Sequence, residues 1–261
     1  MAAQTQILLL QTGDAVPSVE RKRGGFYSLF EAGLCTSSAV VLKKLDLRFY
    51  SENDRLPDLA AYDGVVMTGS PAMVAEDTTW MRYGVRVIRA ILERKQPFLG
   101  VCFGHQLLGV ATGAEVGPNP LGRMMGTVTV TLEDADSSVL WRGMPRHFAA
   151  QVSHVDVIRK TSPALRVLGR SPHDACHVVQ ANPLAWGVQF HPEFDVEVMR
   201  QYLDARRGPL DEEQGTGTAA RRLSEVGPAP MSTGLLARFS ALCANPQLRA
   251  SSLEETIHAR H

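Results

Sequence analysis

Cysteine is scarce in this chain. Four occur in 261 residues, Cys35, Cys102, Cys176 and Cys243, with no C-x-x-C pair among them. That density excludes a disulfide-stapled secreted module, which crowds its cysteines into a much shorter sequence. Charge of one sign is missing too: 27 Lys plus Arg balance 27 Asp plus Glu. A protein that grips phosphate backbones wants a strongly basic domain, so nucleic acid is not an expected partner. Disorder needs low hydrophobicity and high net charge, whereas 44% of these residues are hydrophobic. No run approaches the roughly 18 apolar residues of a membrane span. Residues Met1 to Leu10 lack the basic leader and long apolar segment of a signal peptide. Repeats and low-complexity runs are absent as well. The expectation is a cytoplasmic globular protein with reduced thiols, long enough to bury its own core.

What is present alternates strand and helix signals. Gln6–Leu10, Leu45–Tyr50, Asp63–Gly69 and Phe98–Cys102 read as short buried strands. Phe26–Leu34, Thr78–Lys95 and Gly104–Ala111 read as helices, the second with Trp80, Gly84, Val87, Ile88 and Ile91 on one face. This order implies an α/β fold, an open, mostly parallel sheet with helices on both faces. The second half is richer in strands: Thr127–Leu132, Phe148–Ile158, Leu165–Leu168, His177–Gln180 and Trp186–Phe190. They are expected as an antiparallel region at the edge of the parallel core. Asp195–Arg207 reads as a helix with Asp195 as its N-cap. Residues 208–230 read as a loop or extended arm, Ser232–Cys243 as a last amphipathic helix, and about 250–261 as a disordered tail.

The sharpest chemical signal is Gly100-Val101-Cys102-Phe103-Gly104-His105-Gln106. An apolar strand enters it, a helix leaves it, and a glycine stands two residues to either side of Cys102. This is the layout of a nucleophile elbow with Cys in place of Ser. Such a turn strains its central residue, and neighbours with side chains would collide there. The thiol then stands at a helix N-terminus, where the dipole favours the thiolate. The bland alternative is a small buried hydrophobe on a glycine-rich turn.

A second signal, Gly187-Val188-Gln189-Phe190-His191-Pro192-Glu193-Phe194, closes a strand. Residues two apart in extended chain point the same way, and Pro192 biases His191 toward the β region. Glu193 is therefore placed to orient the imidazole of His191. Nucleophile, base and orienting carboxylate make the generalised triad. The alternative for His191 is a satisfied structural histidine.

The two motifs, about 90 residues apart, resemble those of the class I (triad) glutamine amidotransferases. The resemblance extends to Val65-Val66-Met67-Thr68-Gly69-Ser70-Pro71, similar to the family's oxyanion strand and loop. It also takes in Val152-Ser153-His154-Val155-Asp156, similar to its S-H-G-D segment. Leu10-Gln11-Thr12-Gly13-Asp14 matches stand-alone proteins like the amidotransferase half of GMP synthetase. The resemblance covers roughly residues 5–200 and implies a flavodoxin-like sheet. It implies a catalytic domain over 1–203, with a C-terminal arm and helix over 204–261 packed on the same domain.

By the same resemblance Cys102 attacks a γ-carbonyl, His191 moves the proton and Glu193 orients His191. The backbone N–H groups of Ser70 and Phe103 form the oxyanion hole, and Gly69, Gln106, Ser153, His154 and Val155 hold the substrate. No cofactor and no metal is implied. Ser70 and Val155 stand where many members have glycine, which puts strict specificity for free glutamine in question.

The remaining candidates read as structural. His105 lies one helical turn from Cys102, and His147, His154, His173 and His177 lack metal-ligand spacing. Met124 and Met125 read as packing. Arg21-Lys22-Arg23 reads as a solvated loop, or alternatively as an active-site loop facing an acidic substrate. Gly69-Ser70-Pro71 lacks the Lys of a phosphate loop, and nothing in residues 204–261 resembles an ATP pyrophosphatase domain.

Three functions remain open on these residues. One is a stand-alone hydrolase of a small-molecule γ-glutamyl amide. Another is a glutaminase subunit supplying ammonia to a synthetase partner. The last is a catalytically silent binding module, against which the intact Cys102, His191 and Glu193 set argues.

Overall fold

Alternation within the apolar runs sets the layers of the fold. In strand β1 (Thr5–Gln11), Ile7 and Leu9 join one core cluster while Leu8 and Leu10 join a second. Successive side chains of a strand point to opposite faces, so the sheet is covered on both sides. These features come from a computed structural model that describes residues 4–133 and 135–258.

The remaining strands are β2 (Val40–Asp46), β3 (Gly64–Met67), β4 (Phe98–Val101), β5 (Glu115–Pro118), β6 (Met124–Leu132), β7 (His147–His154), β8 (Asp156–Lys160), β9 (Arg166–Ser171), β10 (Asp174–Asn182) and β11 (Ala185–Val188). The helices are α1 (Pro17–Arg23), α2 (Gly25–Leu34), α3 (Thr79–Glu93), α4 (Phe103–Ala111), α5 (Val196–Ala205), α6 (Arg207–Gln214), α7 (Thr218–Glu225), α8 (Pro230–Thr233), α9 (Leu235–Ala244) and α10 (Pro246–His258).

Among the described residues the main sheet runs β2-β1-β3-β4-β11-β10-β9-β6-β7. The first five strands pair in parallel, in the doubly wound order that puts ligands beyond the strands' carboxyl ends. From β11 onward the pairing is antiparallel. The expected antiparallel region thus continues the same sheet. Strands β5 and β8 form a separate small ribbon. One face is covered by α2 and α9, the other by α3 and α4. Asp195 caps α5 as expected, accepting a hydrogen bond from Val198 N–H at 2.8 Å. No helix among the described residues is long and apolar enough to cross a membrane.

Several expectations need correction. Leu45–Tyr50 is not a strand. β2 stops at Asp46, whose carboxylate accepts from Arg48 N–H at 3.1 Å and turns Leu47–Phe49 into a 3-10 helix. This is local side-chain to backbone bonding outcompeting the ladder. Residues 208–230 are not a loop either, since α6 and α7 occupy most of them. Their glycines concentrate in the break at Gly215 and Gly217, both at positive φ, while Leu210 and Ala219 bury apolar surface. The last amphipathic helix starts at Leu235, after the single turn of α8, and buries Leu235, Leu236, Phe239 and Leu242. The chain from 250 to 258 is helical rather than disordered; residues 259–261 lie outside the described residues.

The basic cluster Arg21-Lys22-Arg23 is the last turn of α1, not a loop. Cations there complement the helix dipole. Arg23 pairs with Asp195, and Lys22 lies 3.8 Å from Glu197. These contacts tie α1 to α5 rather than to a substrate.

Candidate active site

Cys102 occupies the turn between β4 and α4 with φ 51° and ψ −100°. Non-glycine residues rarely adopt such a conformation, at a cost of about 1–3 kcal/mol. Two hydrogen bonds hold it: Cys102 N–H donates to the Val188 carbonyl at 2.8 Å, and Gln106 N–H donates to the Cys102 carbonyl at 3.0 Å. The flanking glycines are required by contact with backbone. A Cβ at Gly100 would sit 2.5 Å from the Gly104 carbonyl oxygen, and one at Gly104 would sit 2.7 Å from that of Met67. Only a chain without side chains at both places lets α4 start so close to β3 and β4.

His191 reaches the same point from β11. Its N–H donates to the Gln151 carbonyl at 2.8 Å, and its Nδ1 lies 2.7 Å from Glu193 Oε1. Both side chains are buried. His191 Cε1 and Cys102 Cβ both lie within 3.4 Å of the point a Gly69 Cβ would occupy, so a side chain there would part them. Burial opposes charge on the imidazole, but neighbouring Glu193 and Cys102 outweigh it and push the His191 pKa up to about 10. Gln189 Nε2 stands 3.7 Å from Cys102 Sγ, and the Ser153 carbonyl 3.8 Å from it.

Two aromatic residues that sequence reasoning missed complete this wall. Phe194 stacks on His191, with ring centroids 4.1 Å apart and planes 12° apart, and Tyr202 packs on Phe194 at 4.5 Å. Phe194 stands within the His191 motif, so its spacing is a usable signal. Tyr202 comes from the buried face of α5, and no local pattern announces it. Burial, with Glu193 nearby, holds its phenol above the usual range.

The pocket is a cavity of about 510 Å³ beyond the carboxyl ends of β1, β3, β4 and β11. Cys102, His191, Ser70, Gln106, Ser153, His154 and Val155 all line it. Gly69 lies against both His191 and Cys102, and Glu193 is held at His191 Nδ1. The Phe103 ring turns away into the second core cluster against Trp80. Ser70 Oγ donates to the Thr12 carbonyl at 2.8 Å and accepts from Ala72 N–H at 3.1 Å, so its hydroxyl is committed to the loop. Gln106 Nε2 donates to the Asp156 carbonyl at 2.8 Å. Met124 and Met125 are packed in the core.

Histidines scattered in sequence meet beside this pocket, which His154 lines. His177 Nδ1 is 3.3 Å from Asp174 Oδ2, and the His154 and His177 rings are 6.4 Å apart. His105 is fully buried against Gly187. Burial lowers the pKa of His105 to about 4 and that of His154 to about 3. Both lie below the unfolded value of about 6.5. The stability they contribute is present above pH 6.5 and lost as pH falls toward 4 and 3. Resistance to urea is therefore expected to weaken steadily from pH 6.5 to 4, and less steeply in His105→Asn. An identical slope in the two proteins would contradict burial as the source.

A subunit of the glutamine-hydrolyzing GMP synthase from Ignicoccus hospitalis is 35% identical over 138 residues, 52% of this chain and 70% of that protein. Gamma-glutamyl peptidase 3 of Arabidopsis thaliana is 25% identical over 205 residues, 76% of this chain and 80% of that one. The chain spans about a quarter of the longer GMP synthases it also matches. A crystal structure of a glutamine amidotransferase from Thermotoga maritima shares the fold, with a TM-score of 0.63 at 20% identity over 92% of this chain and 98% of that one. The family model described as glutamine amidotransferase class-I matches residues 26–206. With more than half its length so matched, this chain belongs to the class I glutamine amidotransferase family.

Proposed function

We propose that this protein hydrolyses a γ-glutamyl amide through a γ-glutamyl thioester on Cys102. The observation that carries the reading is one arrangement. A cysteine on a strained turn shares a pocket wall with a histidine locked 2.7 Å from a buried carboxylate. Cys102 Sγ attacks the γ-carbonyl while His191 holds the thiol proton. The C–N bond breaks, His191 gives that proton to the leaving amine, and a thioester remains. Water, deprotonated by His191, then cleaves the C–S bond, returning the thiol and releasing glutamate.

The N–H groups of Ser70 and Phe103 stabilise the oxyanion at each stage, a role worth roughly 100- to 1000-fold per donor. Gly69, Gln106, Ser153, His154 and Val155 hold the glutamyl head. We assign residues 1–203 to the catalytic domain and 204–261 to a segment packed on it. The likeness to gamma-glutamyl peptidase 3 supports a small γ-glutamyl compound as substrate.

The test is release of glutamate and free amine by the isolated chain from glutamine and a panel of γ-glutamyl amides and peptides. Turnover that depends on Cys102 is expected; release at an equal rate without Cys102 would refute the reading. A second reading uses the same site. The likeness to a GMP synthase subunit supports a glutaminase that passes ammonia to a synthetase partner. On that reading the isolated chain is slow with every compound and accelerates on glutamine only when a synthetase is added.

Glu193 acts through His191. In Glu193→Gln the amide donates to Nδ1 and forces the tautomer that cannot accept the thiol proton. The expected fall in kcat is on the order of 100- to 10,000-fold, with KM little changed. A rise in KM at constant kcat would assign Glu193 to substrate binding instead.

A further inference from the structure

Three arginines line the cavity, and they differ in one respect. Arg48 is held by Asp14 and Asp46, with guanidinium to carboxylate distances of 2.6 and 2.7 Å. Arg123 makes two hydrogen bonds to Glu213, at 2.9 and 2.8 Å. Arg206 is half-buried and has no carboxylate partner among the described residues. A guanidinium is always charged and presents a planar fork of donors matched to a carboxylate. Leaving one unpaired in a pocket wall invites an anion from outside the chain.

Its position says which part of a substrate it would meet. On the hydrolytic reading, which this inference rests on, His191 protonates the leaving amine, so the leaving group lies on the His191 side. Phe194 stacks on His191 and Tyr202 on Phe194. Tyr202 and Ala205 of α5 are followed by Arg206, the residue that caps its C-terminus; all three line the cavity, and Arg206 N–H donates to the Tyr202 carbonyl. Arg206 therefore continues the wall that begins at His191. Gln106 and Ser153–Val155, assigned to the glutamyl head, belong to α4 and to the end of β7 with the residue that follows it.

The cavity's size fits a substrate larger than glutamine. Its 510 Å³ falls within the roughly 300–1,000 Å³ of pockets that hold drug-sized ligands. Were ammonia the leaving group, a free cation beside it would gain nothing. A carboxylate there would form a charge-assisted, bidentate pair.

We propose that Arg206 is a specificity residue that reads a carboxylate on the leaving amine, so that the favoured substrates are γ-glutamyl amino acids or peptides with a free C-terminal carboxylate. The test separates recognition from turnover. In the turnover-dead Cys102→Ala protein, γ-glutamylglycine and its neutral carboxamide are compared by calorimetry. The carboxylate is expected to bind roughly tenfold to 100-fold tighter, the range for a hydrogen-bonded charged group. Adding Arg206→Ala removes that preference, and Arg206→Lys keeps part of it. A merely structural Arg206 would weaken both ligands alike and leave their ratio intact.

Equal affinities at the outset, no binding of either compound, or a preference that survives Arg206→Ala would each overturn the proposal. A preference that depends on Arg206, in a chain whose wild type turns over none of the γ-glutamyl panel, would uphold the carboxylate site and refute only the hydrolytic reading.

Discussion

Alanine at position 102 is expected to abolish turnover and leave the fold standing. The side chain removed is small and buried, 4% exposed. No salt bridge rests on its sulfur: besides its hydrogen bond with His191, its polar neighbours are Gln189 Nε2 and the Ser153 carbonyl, at the long distances of 3.7 and 3.8 Å. The backbone bonds that fix the turn belong to the Cys102 N–H and carbonyl, which alanine keeps. Stability should change by only about 1 kcal/mol, since the buried imidazole loses one weak partner and keeps Glu193. The rate should fall on the order of a million-fold, the scale seen when the nucleophile of a triad acting as a unit is removed. Paired measurements of thermal unfolding and amine release check both halves. Cooperative unfolding near the wild-type temperature with undiminished release would remove Cys102 from the chemistry.

The elbow glycines should show the reverse pattern, with stability and activity lost together. A Cβ at Gly100 would meet the Gly104 carbonyl oxygen at 2.5 Å, its carbon at 2.6 Å and the His105 nitrogen at 2.9 Å. All three are backbone atoms in the first turn of α4, so no rotamer change relieves the clash. The helix must move, and Cys102 moves with it. Gly100→Ala is expected to cost about 1–3 kcal/mol or more, as overpacking does, and to leave little turnover.

Gly208 makes a control. It lies in α6 with nothing within 4 Å of its would-be Cβ apart from its chain neighbours. Pro209 follows it and crowds a Cβ in the helical region, which offsets the gain in helix propensity, so alanine there should change stability by less than about 1 kcal/mol. Denaturant midpoints for the two variants test the argument. A Gly100→Ala protein as stable as wild type would show that the turn tolerates a side chain.

The chemistry of the candidate site is legible where local geometry dictates residue type. Glycines flank Cys102 because backbone approaches within 2.5–2.7 Å at two places, and spacing alone exposes that need. His191 and Glu193 share a direction because they stand two apart around a proline. Strand and helix order is legible from apolar runs, and Asp195 announces the start of α5.

What stays hidden depends on contacts between distant segments. Tyr202 reaches His191 only through Phe194. His105, His154 and His177 come from segments distant in the chain and meet only in the folded structure. Arg206 gains meaning only when Arg48 and Arg123 are seen to be satisfied. Composition misleads over residues 208–230, where an average rich in Gly and Pro conceals two helices. The capping carboxylate of Asp46 ends a strand that apolar content alone would extend.

The central claim is a covalent glutamyl group on Cys102, and mass spectrometry can look for it directly. The wild-type chain, mixed with a γ-glutamyl amide and quenched in acid during turnover, is digested and its peptides weighed. The account predicts a peptide holding Cys102 that is heavier by one glutamyl group, labile to base or hydroxylamine, and absent from Cys102→Ala. Steady release of glutamate with no such adduct, or an adduct that persists on another residue in Cys102→Ala, would contradict it.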